Sequence, residues 1–168
     1  MATAGEIVDV VDENDDVIGA ASMREVRAHN LLHRGAAAFV RNRRGDIYVH
    51  RRADTKAAFA GWYDVVVAGS VMSGESYEDA IRRELAEEMS IQGGEPTFLF
   101  KSRYRDADVN WWTCVYEMMW DGTIRHPDKE IAWGAFLSEA ALVAKLDEWQ
   151  FVPGGLLLFR RYCEERRK

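Results

Sequence analysis

The chain has few of the features that would assign it to an oxidising compartment, a membrane or a nucleic-acid polymer. It contains 2 cysteines, at positions 114 and 163, which allow at most one bridge and form no metal-ligand spacing. Its apolar runs fall short of the roughly 18 residues of a membrane span, and Met1 to Val11 holds none of signal-peptide length. Its net charge of −6 disfavours binding to a phosphate backbone. We therefore expect a cytoplasmic protein that binds neither a membrane nor a nucleic-acid polymer.

Length and composition indicate one ordinary globular unit. The chain has 168 residues and is 48% hydrophobic, which is enough for a substantial core and too short for two comfortable domains. We expect a single domain over residues 1–168, in which residues 1–32 form an extension made of a hairpin and a short helix. An acidic chain of this kind would need a cation as an intermediary to handle phosphates.

The most informative stretch runs from Gly69 to Ile91, and its second half predicts a helix. Ser76 is suited to the N-cap, with Asp79 three residues later where a capping box places a carboxylate. Apolar residues then recur at helical spacing, at Tyr77, Ala80, Ile81, Leu85 and Met89.

Two carboxylates fall on the apolar face of this predicted helix. At about 100° per residue, Glu84 and Glu88 lie in the middle of the apolar arc, and Glu87 lies at its edge. Burying unpaired carboxylates costs several kcal/mol each, so a positive group must meet them. Arg83 can pair with Glu87, but we expect it to lie off this face and to leave Glu84 and Glu88 unsatisfied. Converging oxygen ligands favour a hard cation such as Mg²⁺, with Mn²⁺ as an alternative.

The same stretch resembles the Nudix box. Gly69, five residues, Glu75, seven residues and then Arg83-Glu84-Leu85-Ala86-Glu87-Glu88-Met89-Ser90-Ile91 follow its pattern. One position departs, because the family expects glycine at the helix end where this chain has Ser90. A left-handed residue is often needed there, and Gly93-Gly94 offers another place to end the helix.

The resemblance implies a fold, an activity and a set of site residues. The fold would be α/β, a Nudix α/β/α sandwich with a mixed sheet between helical layers. The activity would be that of a Nudix pyrophosphohydrolase, a divalent-metal-dependent hydrolase of a diphosphate linkage in a nucleotide or nucleoside diphosphate derivative. Metal ligands would be Glu84, Glu87, Glu88 and the Gly69 carbonyl, and Arg83 would orient Glu87.

Two roles depend on residues with weaker signals. The basic residues Arg51, Arg52 and Lys56 at a predicted strand end suit diphosphate oxygens, although a solvated strand end is an equal alternative. Glu87 is our first choice as general base. Glu130, which follows the predicted turn at Pro127-Asp128, is the second choice, and a plain surface role for it is at least as reasonable.

The remaining pattern predicts strands before and after the box helix and a helix at the C-terminus. Short capped helices are predicted after Ser22 and Ser138, and a terminal helix after Pro153. The predicted strands span residues 6–12, 17–21, 33–41, 47–52, 65–69, 96–105, 110–120 and 130–137, with a turn around Asp106-Ala107-Asp108 between the sixth and seventh.

The branch of the family with the most similar flanking segments also includes the type I isopentenyl-diphosphate isomerases. Those segments are residues 11–19, His33-Arg34, Arg51-Arg52 and 149–153. Where the isomerases carry a catalytic Cys, His and Glu, this chain has Ala68, Ser70 and Trp111, so proton transfer to carbon is disfavoured; only His33 is kept. A catalytically weakened binding module is the other alternative. The expected partner is a small-molecule diphosphate, and the sequence leaves a homodimer open.

Overall fold

The computed structural model describes residues 5–107, 109–127 and 129–166, so Asp108 and Asp128 of the predicted turns lie outside the described residues. Within these ranges the chain forms four helices and nine strands. The helices are α1 (Met23–His29), α2 (Tyr77–Met89), α3 (Glu139–Lys145) and α4 (Pro153–Glu165). The strands are β1 (Ile7–Val11), β2 (Val17–Ser22), β3 (His33–Arg41), β4 (Ile47–Arg52), β5 (Tyr63–Asp64), β6 (Val67–Ser70), β7 (Thr97–Arg105), β8 (Asn110–Met119) and β9 (Ile131–Leu137).

Strand β3 is the centre of the sheet. It pairs in parallel with β8 along its whole length and antiparallel with β6, while β7 continues the sheet from β8. Strands β4, β5 and β9 form an antiparallel group that joins β3 at the Arg41–Ile47 hairpin. The mixed sheet expected from the sequence is confirmed.

The two faces of the sheet carry separate cores, as alternation along β3 requires. Ala36, Ala38 and Val40 pack with the apolar side of α2, and we call this side the α2 face. Ala37 and Phe39 pack with residues of α3 and α4, and we call this side the α4 face. Helical layers on both sides of a mixed sheet confirm the predicted α/β/α sandwich.

The prediction of one continuous strand over residues 65–69 is wrong, because the chain bends at Val65 and Val66, between β5 and β6. The cause is local. The Asp64 carboxylate oxygen Oδ1 accepts hydrogen bonds from the Val65 and Val66 amides, at 2.8 Å and 3.3 Å. These bonds turn the chain, so that β5 pairs with β4 and β6 pairs with β3.

The N-terminal extension folds as expected. Strands β1 and β2 form an antiparallel hairpin, and Ser22 and Glu25 form a full capping box at the start of α1. This unit is anchored by a small apolar cluster of Val8, Met23 and Val26. Both cysteines are free. Among the helices of the described residues, none has the length and apolar character that a membrane crossing requires.

Candidate active site

Helix α2 presents the predicted carboxylates on its inner side. Its N-cap is Ser76, whose side chain accepts a hydrogen bond from the Asp79 amide. Glu84 is fully buried and Glu88 is 8% exposed, whereas the Glu87 side chain is 54% exposed. The helical period therefore places Glu84 and Glu88 inward and Glu87 at the solvent edge, as the sequence predicted.

Arg83 meets Glu84 directly, which corrects the prediction that it lies off the buried face. Its Nη1 donates to Glu84 Oε1 at 2.7 Å, while the ion pair with Glu87 is longer, at 3.5 Å. Its Nε donates to Glu75 Oε1 and its Nη2 donates to Glu75 Oε2, each at 3.0 Å. A helical wheel gives only the direction in which each side chain leaves the helix axis. The prediction failed because the long arginine side chain carries its guanidinium around the helix to Glu84.

This guanidinium joins the helix to the loop before it. Arg83 Nη2 also donates to the Ser70 carbonyl oxygen at 3.0 Å, and Glu75 accepts from the Met72 amide at 2.9 Å. The pKa of Arg83 is raised above its ordinary value, first by the hydrogen bond to Glu75 and then by that to Glu84, against the opposing effect of burial. Arg83 thus holds the end of β6, the loop and the helix in one arrangement.

Gly69 of the box lies against Glu84. A methyl group built on Gly69 would stand 1.9 Å from Glu84 Oε1, so any larger residue would displace the carboxylate. The glycine is therefore required by close approach rather than by its backbone angles. The spacing of the motif brings the Gly69 backbone and the Glu84 carboxylate to the same place.

The C-terminal end of α2 is formed by the residue that departs from the family pattern. Ser90 adopts a left-handed conformation with φ 55° and ψ 27°, and its amide donates to the Ala86 carbonyl oxygen at 3.1 Å. The helix ends here and not at Gly93-Gly94, although Ser90 takes a conformation that glycine would adopt at less cost.

A contact that the sequence did not reveal follows the helix end. His126 Nδ1 lies 2.8 Å from the Glu88 carbonyl oxygen, and the Tyr48 hydroxyl lies 3.0 Å from His126 Nε2. Because a carbonyl oxygen only accepts, Nδ1 carries a hydrogen and donates it to Glu88, while Nε2 lies within hydrogen-bond distance of the Tyr48 hydroxyl. Four scattered histidines in the sequence gave no signal for this contact.

A second histidine, His50, is buried. It is 3% exposed, and its Nδ1 has no hydrogen-bond partner among the residues that the structure describes. Burial, followed by the charges of Arg52 and His126, lowers the pKa of His50 to about 3. The ring is therefore neutral at physiological pH.

The predicted basic residues all contact other protein groups. Lys56 Nζ pairs with Glu130 Oε2 at 2.5 Å, and Arg51 pairs with Asp54 at 2.7 Å. Arg52 donates to the carbonyl oxygen of Ala58 at 3.2 Å. Burial raises the pKa of Glu130, but the hydrogen bond and charge of Lys56 lower it further, so it lies below its ordinary value. The structure brings Lys56 and Glu130 together, while the substrate roles of the three basic residues and the role of Glu130 as a general base stay predictions.

The carboxylates can be tested for their fit to a divalent cation. Within the part of the chain that the structure describes, no three His, Cys, Asp or Glu side chains stand together as a ready metal site. Glu84 and Glu88 nevertheless supply oxygen ligands from one face of one helix, and the Glu84 carboxylate fills the place that a side chain on Gly69 would take. Oxygen-only donors of this kind suit Mg²⁺ or Mn²⁺, so the residues present fit such an ion.

Comparison with known proteins gives consistent matches over most of the chain. The NUDIX domain family matches residues 31–154. An uncharacterized Nudix hydrolase of Streptomyces coelicolor is 45% identical over 163 residues, covering 96% of this chain and 90% of its own. A Nudix hydrolase of Deinococcus radiodurans is 31% identical over 162 residues, covering 94% of each chain.

Solved structures show the same fold. The crystal structure of DR0079 from Deinococcus radiodurans superimposes with a TM-score of 0.78 at 30% identity, covering 92% of this chain and 98% of that one. A MutT protein from Methanosarcina mazei has a TM-score of 0.67 at 20% identity, covering 82% of this chain and 96% of that one. The second likeness concerns the fold alone.

Proposed function

The chain belongs to the Nudix hydrolase family, enzymes that act on small molecules containing a diphosphate and generally use divalent metals, and from that membership we propose a specific activity. We propose that the protein hydrolyses the diphosphate linkage of a nucleotide or nucleoside diphosphate derivative with Mg²⁺ or Mn²⁺. The observation that carries the proposal is the inward placement of Glu84 and Glu88 on α2, with Glu84 against Gly69.

The proposed metal ligands are Glu84, Glu88 and the Gly69 carbonyl, with Glu87 at the outer edge. When bound, the divalent ion neutralises the diphosphate and lowers the pKa of the water that attacks phosphorus. Arg83 holds Glu84 in place through its 2.7 Å contact, so it is a positioning residue.

Two carboxylates are proposed as general base. Glu87 is exposed at the edge of α2 and can turn toward a bound water. Glu130 is held by Lys56, and its lowered pKa keeps it ionised and ready to accept a proton at neutral pH. We propose Arg51, Arg52 and Lys56 as contacts for the departing phosphates, because guanidinium and ammonium groups suit phosphate oxygens.

The test is a hydrolysis assay over a panel of diphosphates with Mg²⁺, measuring release of phosphate or nucleotide. The panel includes ADP ribose, which is bound to the NUDIX domain of Shewanella oneidensis NrtR, a structural neighbour at 15% identity. We expect turnover of at least one compound. We also expect Glu84→Gln and Glu88→Gln each to lower kcat at least a hundredfold, or about 2.7 kcal/mol of barrier. Activity of either variant within threefold of the parent would remove that residue from the site.

A further inference from the structure

The N-terminal hairpin contacts the loop between β6 and α2, residues 71–76, which we call the box loop. The Asp9 carboxylate on β1 accepts a hydrogen bond from the Ser73 hydroxyl at 2.6 Å and another from the Gly74 amide at 3.3 Å. The Ile7 carbonyl oxygen accepts from the Ser73 amide at 2.9 Å. Polar groups of the box loop are therefore satisfied by one strand of the N-terminal extension.

An apolar contact joins the same loop to the extension. Met72 of the box loop forms an isolated antiparallel bridge with Val8 of β1. It also packs against the small apolar cluster of Val8, Met23 and Val26, in which Val8 is fully buried. The box loop is thus held to the extension by both polar and apolar contacts.

The turn of the hairpin contacts the start of α2. Asp15 Oδ2 accepts a hydrogen bond from the hydroxyl of Tyr77, the first residue of α2, at 3.0 Å. Asp15 Oδ1 accepts from Arg34 Nε on β3 at 2.7 Å, and Lys101 on β7 pairs with the same carboxylate. Burial raises the pKa of Asp15, but the hydrogen bonds from these three side chains lower it further, so it lies below its ordinary value. The charged turn is therefore fixed to the sheet and to the helix at neutral pH.

The conformation of the box loop determines where Arg83 lies. Glu75 Oε2 accepts from the Met72 amide at 2.9 Å within the loop, and the two oxygens of Glu75 accept from Arg83. Arg83 in turn donates to Glu84 at 2.7 Å. Each of these bonds tolerates only a narrow range of length and angle. A box loop released from Asp9 would therefore move Glu75, and with it the guanidinium that orients Glu84.

We propose that Asp9 is a positioning residue of the box site, because the hairpin holds the box loop in the arrangement in which Arg83 orients Glu84. The inference rests on the proposed function, since Glu84 is a ligand of the metal proposed there, but the order of the loop can be measured without metal. The alternative is an extension that only stabilises the fold. In that case, equal losses of stability within the extension would have equal consequences at the site, whichever residue causes them.

The first experiment is hydrogen–deuterium exchange of the full chain in EDTA, read by mass spectrometry over residues 70–76. Asp9→Ala removes both acceptor oxygens, so we expect the amides of the box loop to exchange at least about tenfold faster than in the parent. Ser22→Ala is the matched control, because it removes the N-cap of α1 in the same extension. For this control we expect exchange in the box loop within about threefold of the parent. Parent-like exchange in Asp9→Ala, or an equal increase in Ser22→Ala, would overturn the proposal.

The second experiment measures Mn²⁺ binding without substrate, from the loss of the free-ion signal in electron paramagnetic resonance. At a temperature where all the proteins are folded, we expect Asp9→Ala to bind Mn²⁺ about tenfold more weakly than the parent, and Ser22→Ala within about threefold of it. Unchanged Mn²⁺ affinity in Asp9→Ala would show that the loop does not position the ligand, and would contradict the proposal. Absence of Mn²⁺ binding in the parent would instead overturn the proposed function, and the exchange experiment would then decide the role of Asp9 by itself.

A variant on the loop side tests the contact without a change of charge. Ser73→Ala removes the hydroxyl that donates to Asp9 and leaves the Gly74 amide in place, so we expect a smaller loss of Mn²⁺ affinity than in Asp9→Ala. Because both changes break the same contact, the double variant should bind Mn²⁺ no more weakly than Asp9→Ala alone. Losses that multiply in the double variant would mean that the two residues act independently, and would contradict Asp9 as the residue that holds the loop.

Discussion

Glu84 and Asp64 both carry buried carboxyl groups, but on the two faces of the sheet these groups have different hydrogen-bond partners. Glu84 on the α2 face is fully buried and has the Arg83 guanidinium 2.7 Å away. Asp64 on the α4 face is 7% exposed, and among the described residues its carboxyl accepts hydrogen bonds from the two backbone amides of Val65 and Val66. Burial raises the pKa of Asp64 to about 7, although those two hydrogen bonds lower it.

The difference indicates what each face can bind. A carboxylate with a cation in contact can remain charged in the interior, and the α2 face also carries a second inward carboxylate, Glu88, which agrees with the metal site proposed there. On the α4 face no described side chain forms an ion pair with the Asp64 carboxyl, and the more distant charge of Arg52 only partly offsets burial, so that group keeps its proton more readily. We therefore expect the free energy of unfolding to depend on a neighbouring cation at Glu84 and on the pH at Asp64.

The largest effect is expected from removing the cation of the α2 face. Arg83→Met should lower the free energy of unfolding by about 3 to 5 kcal/mol, because the carboxylates of buried Glu84 and of Glu75 both lose the guanidinium that they contact. Urea unfolding at neutral pH measures it. Arg82→Met is the matched control, since Arg82 pairs with Glu78 and Glu95 on the exposed side and should cost no more than about 1 kcal/mol.

If the two arginine variants lose similar stability, the Arg83 contacts do not support the α2 face as described. A double variant, Arg83→Met with Glu84→Gln, sharpens the result. It removes the buried carboxylate charge that has lost its guanidinium, so it should be more stable than Arg83→Met alone.

The second-largest effect is expected from the ionisation of Asp64, which makes the free energy of unfolding depend on pH. Its ordinary pKa is 3.8, so between about pH 4 and about pH 7 the folded protein keeps a proton that the unfolded chain releases. The contribution of Asp64 to the free energy of unfolding therefore falls as the pH rises through this window, by at most about 4 kcal/mol. It is constant above the window.

Asp64→Asn tests this dependence, because an amide oxygen can still accept from the Val65 and Val66 amides. Urea unfolding of both proteins at about pH 4.5 and about pH 7.5 gives the difference at each pH. We expect the variant to be more stable relative to the parent at the higher pH. Parallel pH profiles would mean that Asp64 ionises normally and that the α4 face holds a charge.

The smallest effect is expected at the end of α2. Ser90→Gly should raise the free energy of unfolding by a few tenths to about 1 kcal/mol, because glycine takes the left-handed conformation without the cost to a side chain. Ser76→Ala, which removes the N-cap of the same helix, should lower it by about 1 kcal/mol. A loss of stability in Ser90→Gly would show that the serine side chain supports the helix end.

The inward placement of Glu84 and Glu88 could be predicted from the sequence, because it depends only on the period of one helix. The caps at Ser22, Ser76 and Ser138 were predictable for the same local reason, and the structure has all three. The Arg83–Glu84 contact was not, since the reach of a long side chain is not in the helical period.

Features that depend on distant segments could not be predicted. The pair of His126 with the end of α2 joins residues 38 positions apart. The bend after Asp64 was missed because a run of valines reads as one strand. A hydrogen bond from a side chain to its own following amides overrides that local preference.

The most direct test of the account is the effect of Mg²⁺ on the melting temperature. An ion that binds only the folded chain at a hundred times its Kd stabilises it by about 2.7 kcal/mol. Thermal melts in EDTA and in millimolar Mg²⁺ should show a rise for the parent, and Glu88→Gln should lose most of it. Glu78→Gln makes the same charge change on the exposed side of α2 and should keep the rise. A full Mg²⁺ response in Glu88→Gln would contradict the placement of the metal on the α2 face.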